Sequence, residues 1–234
     1  MTKPRTPANP MERKRARSQE DKDQRRAHLV AAAAELFAQG HYDTVTIARV
    51  ADRAGVAKGT AYLYFASKET LFLELVRAEL TQWLAALTAS LGRVRSAQAA
   101  DAVAKAIAHS LDERATLRRL LVLLHSVLEL NIAEDTARSF KHFMRDLLHE
   151  VSTTIAQAIP GLRLEDAQTL VLQTHALVIS VTQLSEPPAV VARVMEADPS
   201  LHSMRIAFEP FVAHTLTTLL RGMLHPRPVS PRKA

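Results

Sequence analysis

The sequence predicts an all-α protein, with a small N-terminal helix-turn-helix domain of three helices joined to a larger helical domain. Glycine occurs only six times in 234 residues, and alanine and leucine are abundant, a balance that favours helices over strands. Apolar residues recur at helical spacing through most of the chain, and no segment alternates with the period of a strand. Glycine, proline, serine and threonine stand between these periodic segments, where helices begin and end.

The composition is that of a globular protein without disulfides. Hydrophobic residues make up 47% of the chain, charged residues 23%, and cysteine is absent, which excludes a disulfide framework, a thiolate metal site and a cysteine nucleophile. No apolar run approaches the roughly 18 residues of a transmembrane helix, and the N-terminus lacks the apolar core of a signal peptide. We expect a cytoplasmic protein with no membrane contact.

Positive charge is concentrated at the two ends of the chain. Residues 1–26 contain nine Lys or Arg and four acidic residues, and residues 221–234 contain four Lys or Arg and no acid, within a net charge of +6. Residues 1–18 and 226–234 also contain prolines and lack apolar periodicity, so we expect a disordered basic arm and a disordered basic tail. Such ends favour a polyanionic partner, nucleic acid before membrane, and simple solubilising tails are the alternative.

Three helices are predicted between the arm and residue 66. Apolar spacing predicts the first helix over 19–39, and Gly40 ends it. Thr46 stands where an N-cap is expected, directly before a second helix of about two turns. Gly55 ends this helix, and a three-residue turn leads to a third helix that begins near Lys58. Two short helices joined by a glycine-containing turn and packed on a preceding helix are typical of a helix-turn-helix.

A series of longer helices is predicted downstream. Ser67 is the expected N-cap of a long helix that reaches Leu91. Further helices are predicted at 97–111, 114–131, 135–158, 164–185, 189–197 and about 204–224. Pro210 interrupts the last of these, which therefore either begins near Pro210 or is kinked there. These segments give a helix-turn-helix domain over 19–70 and a second helical domain over 71–225.

The segment TVTIARVADRAGVAKGTAYLYFASKETLF, residues 44–72, resembles the DNA-binding domain of the TetR family of bacterial transcriptional regulators. The resemblance lies in the Ala-Gly-Val turn, the Lys-Gly-Thr helix start, the Tyr-x-Tyr-Phe end and the Ser-Lys-Glu opening of the next helix. It covers about residues 25–75 and implies double-stranded DNA as a partner. The rest of the chain is similar to the family only in the number and length of its helices.

The third helix has one buried side and one outward side. A rotation of about 100° per residue places Ala61 and Phe65 together on the buried side. The outward face and its flanks consist of Lys58, Gly59, Thr60, Tyr62, Leu63 and Tyr64. A helix in the major groove points its outward face at base edges and its flanks at phosphates. We therefore expect base contacts from Thr60 and Leu63, close backbone approach at Gly59, and phosphate contacts from the tyrosines and Lys58.

Further phosphate contacts are expected at neighbouring helix starts, because helix N-termini attract anions. Thr46 begins the second helix and Lys68 the fourth, and the resemblance implies that their counterparts clamp phosphates. Arg49 is a further candidate because it is exposed in the helical pattern. The basic arm before the first helix is expected to follow the DNA backbone or to enter the minor groove.

The resemblance implies that the second domain binds a small-molecule effector and forms a homodimer through its last two long helices. Both helices are apolar over more of their circumference than one buried stripe requires. The residues expected at the dimer face are Leu170, Thr174, Leu177, Val178, Val181, Phe211, Thr215 and Leu219. A core buried entirely within one chain is the alternative.

A candidate ligand pocket is centred on the very apolar segment RRLLVLLHSVLELN, residues 118–131. His125 and Glu129 lie four residues apart on one helical face, and polar groups inside an apolar helix need partners. A pocket would account for them. The further candidate lining residues are Trp83, Phe140, Phe143 and His175. Alternatively, His125 and Glu129 satisfy each other or a neighbouring backbone group.

No catalytic motif or phosphate-binding glycine loop is present, and the ten histidines are too scattered to predict a metal site. We expect no enzymatic activity, no metal and no cofactor. The sequence predicts a homodimeric repressor released from a palindromic operator by a small molecule. A helical protein-interaction module without specific DNA binding and a transcriptional activator on the same fold are the alternatives.

Overall fold

The computed structural model describes the backbone of residues 10–94 and 98–225 and the side chains from residue 19 onward within those ranges. The predicted fold class is confirmed, because every regular element in the described part of the chain is helical. The chain divides into two compact units, residues 1–75 and 76–234. The helix α4, Lys68–Leu91, runs through the point of division.

From residue 10 onward, the first unit contains three α-helices and the first two turns of α4. These three helices are α1 (Pro10–Gln39), α2 (Ile47–Arg53) and α3 (Lys58–Tyr64). The predicted start of α1 at residue 19 is wrong, since the helix begins nine residues earlier. Its added segment is rich in Arg, Lys, Glu and Ala, which are strong helix formers, and Pro10 occupies the first helical position, where proline is favoured. Residues 1–9 of the expected arm and the tail over 226–234 lie outside the described residues.

Aromatic packing joins α1 to the start of α4 in the core of this unit. The rings of Phe37 and Phe72 meet edge to face with centroids 5.4 Å apart, and Tyr42 packs on Phe72 at 4.9 Å. Arg26 of α1 forms an ion pair with Glu74 of α4 at 3.2 Å. Such edge-to-face pairs contribute about 0.5–1.5 kcal/mol beyond their buried area. These contacts hold α1 and the start of α4 together, and α2 packs against α1 and α3.

In the second unit, the described residues form the rest of α4 and six further α-helices. These are α5 (Ala99–Asp112), α6 (Ala115–Leu123), α7 (Glu134–Ala158), α8 (Leu164–Ser185), α9 (Ala189–Ala197) and α10 (Phe208–Leu224). Helix α8 packs against α6, α7 and α10, and α10 also packs against α5. Ser67 N-caps α4 as predicted, because its hydroxyl accepts the backbone N–H of Thr70 at 3.2 Å.

The predicted helix over 114–131 is divided into two parts. The α-helix α6 ends at Leu123 and continues as a π-helical turn over Leu124–Leu128, closed by a bond from the Glu129 N–H to the Leu124 carbonyl at 3.1 Å. A π-helical turn widens the helix by one residue and is frequent at functional sites. This turn changes the directions of His125 and Glu129 relative to a regular helix.

The course of the chain around Pro210 is also resolved. A 3₁₀ segment occupies Pro199–Met204, and α10 begins at Phe208 rather than near 204. Pro210 is the third residue of α10, within the first turn, where a backbone N–H has no intrahelical partner. The proline therefore removes no helical hydrogen bond, and a kink is not needed to accommodate it.

Arg118 joins four helices inside the second unit. Its side chain on α6 is almost fully buried and donates to Glu186 at 2.6 Å, just after α8, and to the Asp112 carboxylate at 3.2 Å, at the end of α5. The guanidinium carbon lies 4.3 Å from the ring centroid of Phe208, the first residue of α10. A buried guanidinium is stable only when it is paired and hydrogen-bonded in this way.

Within the described residues, no helix combines the length and the apolar character needed to cross a lipid bilayer.

Candidate DNA-binding helix and ligand cavity

The turn between α2 and α3 depends on Gly55. Its φ of +68° lies in the left-handed region, which side chains other than glycine rarely adopt. The N–H of Val56 bonds back to the Ala51 carbonyl at 3.0 Å, so the end of α2 is closed before the chain turns. At the other end of α2, the Thr46 hydroxyl accepts the N–H of Arg49 at 3.3 Å, which confirms the predicted N-cap.

Helix α3 has the two faces that the sequence predicts. Ala61 and Phe65 are 1% and 2% exposed, whereas Leu63 is 85% exposed and Tyr62 48%. Thr60 and Tyr64 are half-buried at the edges of the outward face, and Lys58 and Gly59 are exposed. A large apolar side chain as exposed as Leu63 has no role in the packing of this unit, which favours an intermolecular contact.

Gly59 lies in open space on the same face. A Cβ atom built at this position would meet no other atom of the protein within 4 Å. The chain itself therefore does not require glycine here, and Gly59 is not in the left-handed region. What a missing side chain provides at this position is close access to the helix backbone from outside.

Arg49 and Lys68, which were both predicted to contact phosphates, have partners within the protein. The Arg49 guanidinium donates to the Thr44 carbonyl, and the Lys68 ammonium donates to the Tyr42 carbonyl and lies 3.6 Å from the centroid of its ring. Burial lowers the pKa of Lys68, and the carboxylates of Asp43 and Glu69 partly oppose this shift. The Lys68 ammonium is thus engaged by Tyr42, and its phosphate contact stays a prediction.

Tyr42 supports this surface but is not among the residues predicted from the sequence. Its hydroxyl donates to Glu69 at 2.9 Å, and its burial and this hydrogen bond raise its pKa well above the ordinary value. Tyr42 follows Gly40 by two residues, and an aromatic residue soon after the glycine that ends the first helix was the available signal. It ties the loop after α1 to the start of α4.

A cavity of about 310 Å³ lies among α4, α5, α6, α7 and α8 of the second unit. Its volume is at the lower end of the range for small-molecule sites. The buried wall is almost entirely aliphatic, with one aromatic residue, Trp83. The Trp83 indole N–H donates to Ser110 at 3.0 Å, and the Thr174 hydroxyl donates to the Leu170 carbonyl at 2.7 Å. The polar groups of these two lining residues are therefore occupied by the protein.

The mouth of the cavity is polar, in contrast to its interior. Nδ1 of His125 lies 3.1 Å from one Glu129 carboxylate oxygen, and the other oxygen accepts from the Lys141 ammonium at 2.8 Å. Nε2 of His125 lies 3.0 Å from Nε2 of His175. Arg145, one turn after Lys141 on α7, also lines the opening. The π-helical turn, α7 and α8 are therefore connected by a chain of polar contacts.

Burial and hydrogen bonding shift two pKa values in this cluster. Burial alone would raise the pKa of Glu129, but the hydrogen bonds and positive charge of Lys141 and His125 outweigh it and lower the pKa. Burial lowers the pKa of His175, and the neighbouring His125 adds to the effect. Glu129 is thus held as a carboxylate and His175 as a neutral imidazole.

The structure brings together four of the six residues predicted to line a ligand pocket: Trp83, His125, Glu129 and His175. The prediction for Phe140 and Phe143 is wrong, because neither ring is among the residues that line the cavity. Their centroids lie 5.2 and 4.8 Å from the guanidinium carbon of Arg77 on α4. Cation–π packing of α7 on α4 accounts for both rings.

Two lining residues that the sequence analysis missed are Lys141 and Arg145. Both are exposed residues of α7, where positive side chains are ordinarily solvated, so the sequence alone offers little reason to select them. The sequence left two alternatives for His125 and Glu129, a ligand pocket or mutual hydrogen bonding. Both hold in part, because the two side chains lie within hydrogen-bonding distance of each other and also line the cavity.

The eight residues predicted at a dimer face differ in their exposure within the single chain. Leu170, Thr174, Val178 and Val181 are at most 7% exposed within the single chain, so the prediction that they meet a second copy is wrong. They are buried because α8 packs against three other helices of its own unit. Leu177, Thr215 and Leu219 are half-buried, and Phe211 is exposed.

The exposed side of α8 is a different stripe, at four-residue spacing. It consists of Leu172, Ala176, Ser180 and Leu184. Leu184 is 55% exposed, and Phe211 on the adjacent helix α10 is 42% exposed. The two helices therefore offer apolar surface to solvent, and Phe211 is the one exposed member of the eight predicted residues.

In the described part of the chain, no three metal-ligating side chains are grouped so that they could hold a metal ion.

Comparisons with known proteins agree with this geometry. The family model described as "Bacterial regulatory proteins, tetR family" matches residues 29–75, and the model described as "Tetracyclin repressor-like, C-terminal domain" matches residues 77–227. The fatty acid metabolism regulator protein of Bacillus subtilis is 36% identical over 56 residues, 24% of this chain and 29% of that protein. The transcriptional repressor KstR2 of Rhodococcus jostii is 31% identical over 108 residues, 46% of this chain and 45% of that protein.

These two sequence matches span less than half the length of either relative. A solved structure extends the similarity of fold over most of the chain. The transcriptional regulator FadR from Bacillus subtilis, in complex with stearoyl-CoA, has a TM-score of 0.53 at 16% identity and covers 85% of this chain and 99% of its own. The two family models together account for nearly all described residues from α1 to α10. The chain therefore belongs to the TetR family of bacterial transcriptional regulators, as its sequence predicts, and α1–α3 form the family's helix-turn-helix DNA-binding domain.

Proposed function

We propose that this protein is a homodimeric repressor whose two α3 helices bind the half-sites of a palindromic operator and whose cavity binds an aliphatic effector that releases it. The observation that carries the proposal is the outward face of α3. Leu63 is 85% exposed and Gly59 leaves the helix backbone open, while Ala61 and Phe65 anchor the opposite side. This face has the shape and chemistry of a helix that enters a major groove.

On that face, different residues serve affinity and specificity. The Tyr62 and Tyr64 hydroxyls and the Lys58 ammonium suit phosphate oxygens, which position a protein on the duplex without reporting its sequence. Thr60 suits a hydrogen bond to a base edge, and Leu63 suits the methyl group of thymine. Lys58 lies 6.0 Å from the Tyr62 ring centroid, so its charge is held on the same flank as that hydroxyl.

A palindromic operator requires two copies of α3. The exposed apolar stripe of α8, together with Phe211 of α10, supports a two-fold symmetric contact between two chains, in which the same surface of each copy meets its counterpart. Two recognition helices in a dimer bind successive major grooves about 34 Å apart or at a multiple of that distance. The dimer thus converts two weak half-site contacts into one specific one.

The cavity supports an effector that is mostly hydrocarbon. Its buried wall is aliphatic, and the polar groups of Trp83 and Thr174 are already bonded within the protein. An aliphatic chain loses no hydrogen bond on entering such a space and gains about 25 cal/mol for each Å² removed from water. The relative that regulates fatty acid metabolism and the solved structure in complex with stearoyl-CoA support an acyl chain as the ligand.

The effector releases the protein from its operator through a difference in its affinity for two conformations of the protein. An effector shifts the protein away from the operator only if it binds the DNA-incompatible conformation more tightly than the DNA-bound one. Residues of α6, α7 and α8 line the cavity, so an effector inside it contacts all three helices and acts on their packing. A tenfold release corresponds to a coupling of about 1.4 kcal/mol.

The test is a mobility-shift titration with the DNA upstream of the protein's own gene, at several salt concentrations. We expect a specific complex whose affinity falls steeply with salt, and its release by fatty acids or acyl-CoA thioesters. Transcription in vitro from the same DNA then distinguishes repression from activation. A protein that shifts random DNA equally well, or none, would contradict the proposal and favour the helical interaction module.

A further inference from the structure

Glu129 is a carboxylate that the protein itself places at the mouth of the cavity. One of its oxygens accepts from Lys141 at 2.8 Å and the other faces Nδ1 of His125 at 3.1 Å. Its side chain is only 20% exposed, whereas those of His125 and Lys141 are 51% and 58% exposed. An anion held between two cationic or hydrogen-bonding groups thus occupies the point where the cavity opens to solvent.

The buried lining residues of the cavity offer no free hydrogen-bond donor to an anionic group of a ligand. The Trp83 indole and the Thr174 hydroxyl, both on the buried wall, are bonded to Ser110 and to a backbone carbonyl. Burying an unsatisfied polar group costs about 1–3 kcal/mol. A ligand with an aliphatic chain and one polar end would therefore leave that end among His125, Glu129, Lys141 and Arg145.

The charges at this mouth favour a negative end. The lining residues contain two permanent cations, Lys141 and Arg145, one turn apart on α7, and a single carboxylate. Arg145 also pairs with Asp146, which is not among the lining residues. When the Glu129 carboxylate is replaced by a carboxylate or phosphate of the ligand, Lys141 keeps an anionic partner and no cation is left without one.

From these contacts we propose that the mouth of the cavity is a binding site for the anionic head group of an aliphatic ligand, held by Lys141, Arg145 and His125, and that Glu129 is the internal counter-ion that this head group displaces. The proposal rests on the proposed function, since it assumes an aliphatic ligand in the cavity. Carboxylate and phosphate head groups share the required chemistry.

Displacement of Glu129 has a structural consequence. Glu129 ends the π-helical turn over Leu124–Leu128, and its carboxylate is the link between that turn and Lys141 of α7. His125, in the same turn, faces His175 of α8. A ligand anion that takes Lys141 and His125 from Glu129 breaks the link between the turn and α7. The head group thereby acts on the packing of the helices and adds to the effect of the aliphatic chain.

The experiment compares three probes with the same chain: decanoate, decyl phosphate and methyl decanoate. Each is titrated into the full-length protein without DNA, and binding is followed by calorimetry and by the fluorescence of Trp83, the only tryptophan. We expect both anions to bind the wild type more tightly than the neutral ester. E129Q should bind the favoured anion about tenfold more tightly than the wild type, since the competing carboxylate is gone, and K141Q about tenfold more weakly. The ester should bind all three proteins alike.

Glu134→Gln is the matched control, because it removes the same charge from an exposed residue of α7 that pairs with Arg138, away from the lining residues. It should leave the affinity of every probe unchanged. A preference for decanoate or for decyl phosphate assigns the source of the anion, and either preference supports the site. K141Q changes an exposed side chain and keeps the test decisive if E129Q is poorly folded.

Two results would overturn the inference while leaving the proposed effector intact. One is equal affinity of the wild type for the ester and both anions. The other is weaker anion binding by E129Q, which would mean that Glu129 orients Lys141 and His125 for the ligand and does not compete with it. Failure of all three probes to bind the wild type would remove both this inference and the proposed aliphatic effector, with operator binding unaffected.

Discussion

The Nε2 atoms of His125 and His175 lie 3.0 Å apart, joining the π-helical turn after α6 to α8 across fifty residues of sequence. At this distance only one of the two nitrogens carries the shared proton. Nδ1 of His125 lies 3.1 Å from a Glu129 carboxylate oxygen, so Glu129, His125 and His175 form one continuous chain of polar contacts. Lys141 completes the charged groups of the cluster.

This pair makes stability sensitive to mild acid. Burial lowers the pKa of His175 below its ordinary 6.5, so below about that pH the unfolded chain binds a proton that the folded protein resists. The free energy of unfolding contributed by this group therefore falls as the pH falls through this range. We expect the melting temperature of H175Q to fall less than that of the wild type when the pH is lowered from about 7.5 to 5.5.

Glu129 does not contribute to this pH dependence. Its pKa is lowered from 4.5, so its contribution to stability is lost only below pH 4.5. H149Q, an exposed histidine of α7, is the control and should keep the wild-type dependence. An H175Q protein with the unaltered pH slope would show that His175 is not held neutral by its surroundings.

Gly59→Ala is expected to separate stability from function. A Cβ at this position meets nothing within 4 Å, so the alanine should fit the free protein and stabilise α3 by about 0.5–1 kcal/mol. The same methyl group would stand between the helix backbone and DNA, and we expect about a tenfold loss of operator affinity. Thermal unfolding and mobility shifts on the same preparation measure both effects. Unchanged operator binding would show that DNA does not approach the backbone here.

Tyr62→Phe is expected to lower the affinity for all DNA, and Leu63→Ala is expected to lower the preference for the operator sequence. Loss of the Tyr62 hydroxyl removes a phosphate contact, so affinity should fall by about 1 kcal/mol for operator and random DNA alike. Loss of the Leu63 side chain removes a contact with base edges, so the preference for operator over random DNA should narrow by about 1 kcal/mol. Competition titrations with both DNAs distinguish the two. Both side chains are exposed, so neither change should lower the melting temperature measurably.

Leu184→Arg is expected to disrupt the homodimer without unfolding the chain. The side chain is 55% exposed on α8, and a charge there would be buried against its own copy across a two-fold axis. Sedimentation should show a shift from dimer to monomer, and operator affinity should fall about a hundredfold as bivalent binding is lost. The control is Leu130→Arg, which is 68% exposed and lies outside α8 and α10. A dimeric L184R protein would place the interface elsewhere.

Much of the first unit could be predicted from sequence because its signals are local. The Thr46 N-cap, the left-handed Gly55 and the buried Ala61–Phe65 side of α3 each follow from residues within a few positions of one another. The start of α1 was misplaced because arginine and lysine carry no apolar periodicity, although they have high helix propensity. The contact of Lys68 with Tyr42 joins residues twenty-six positions apart, and no local pattern indicates such a contact.

By itself, the sequence determined that the protein is all-helical, that its N-terminal part is a helix-turn-helix, and which side of α3 faces outward, since periodicity, caps and turns operate over a few residues. Only the tertiary structure decided which apolar side of α8 is core, because a stripe buried by the same chain and one buried by a partner have the same spacing. It also decided that His125, Glu129, Lys141 and His175 meet at one opening, since α6, α7 and α8 bring them together only after packing. The packing of Phe140 and Phe143 on Arg77 was likewise decided by the tertiary structure, because α7 meets α4 only after folding.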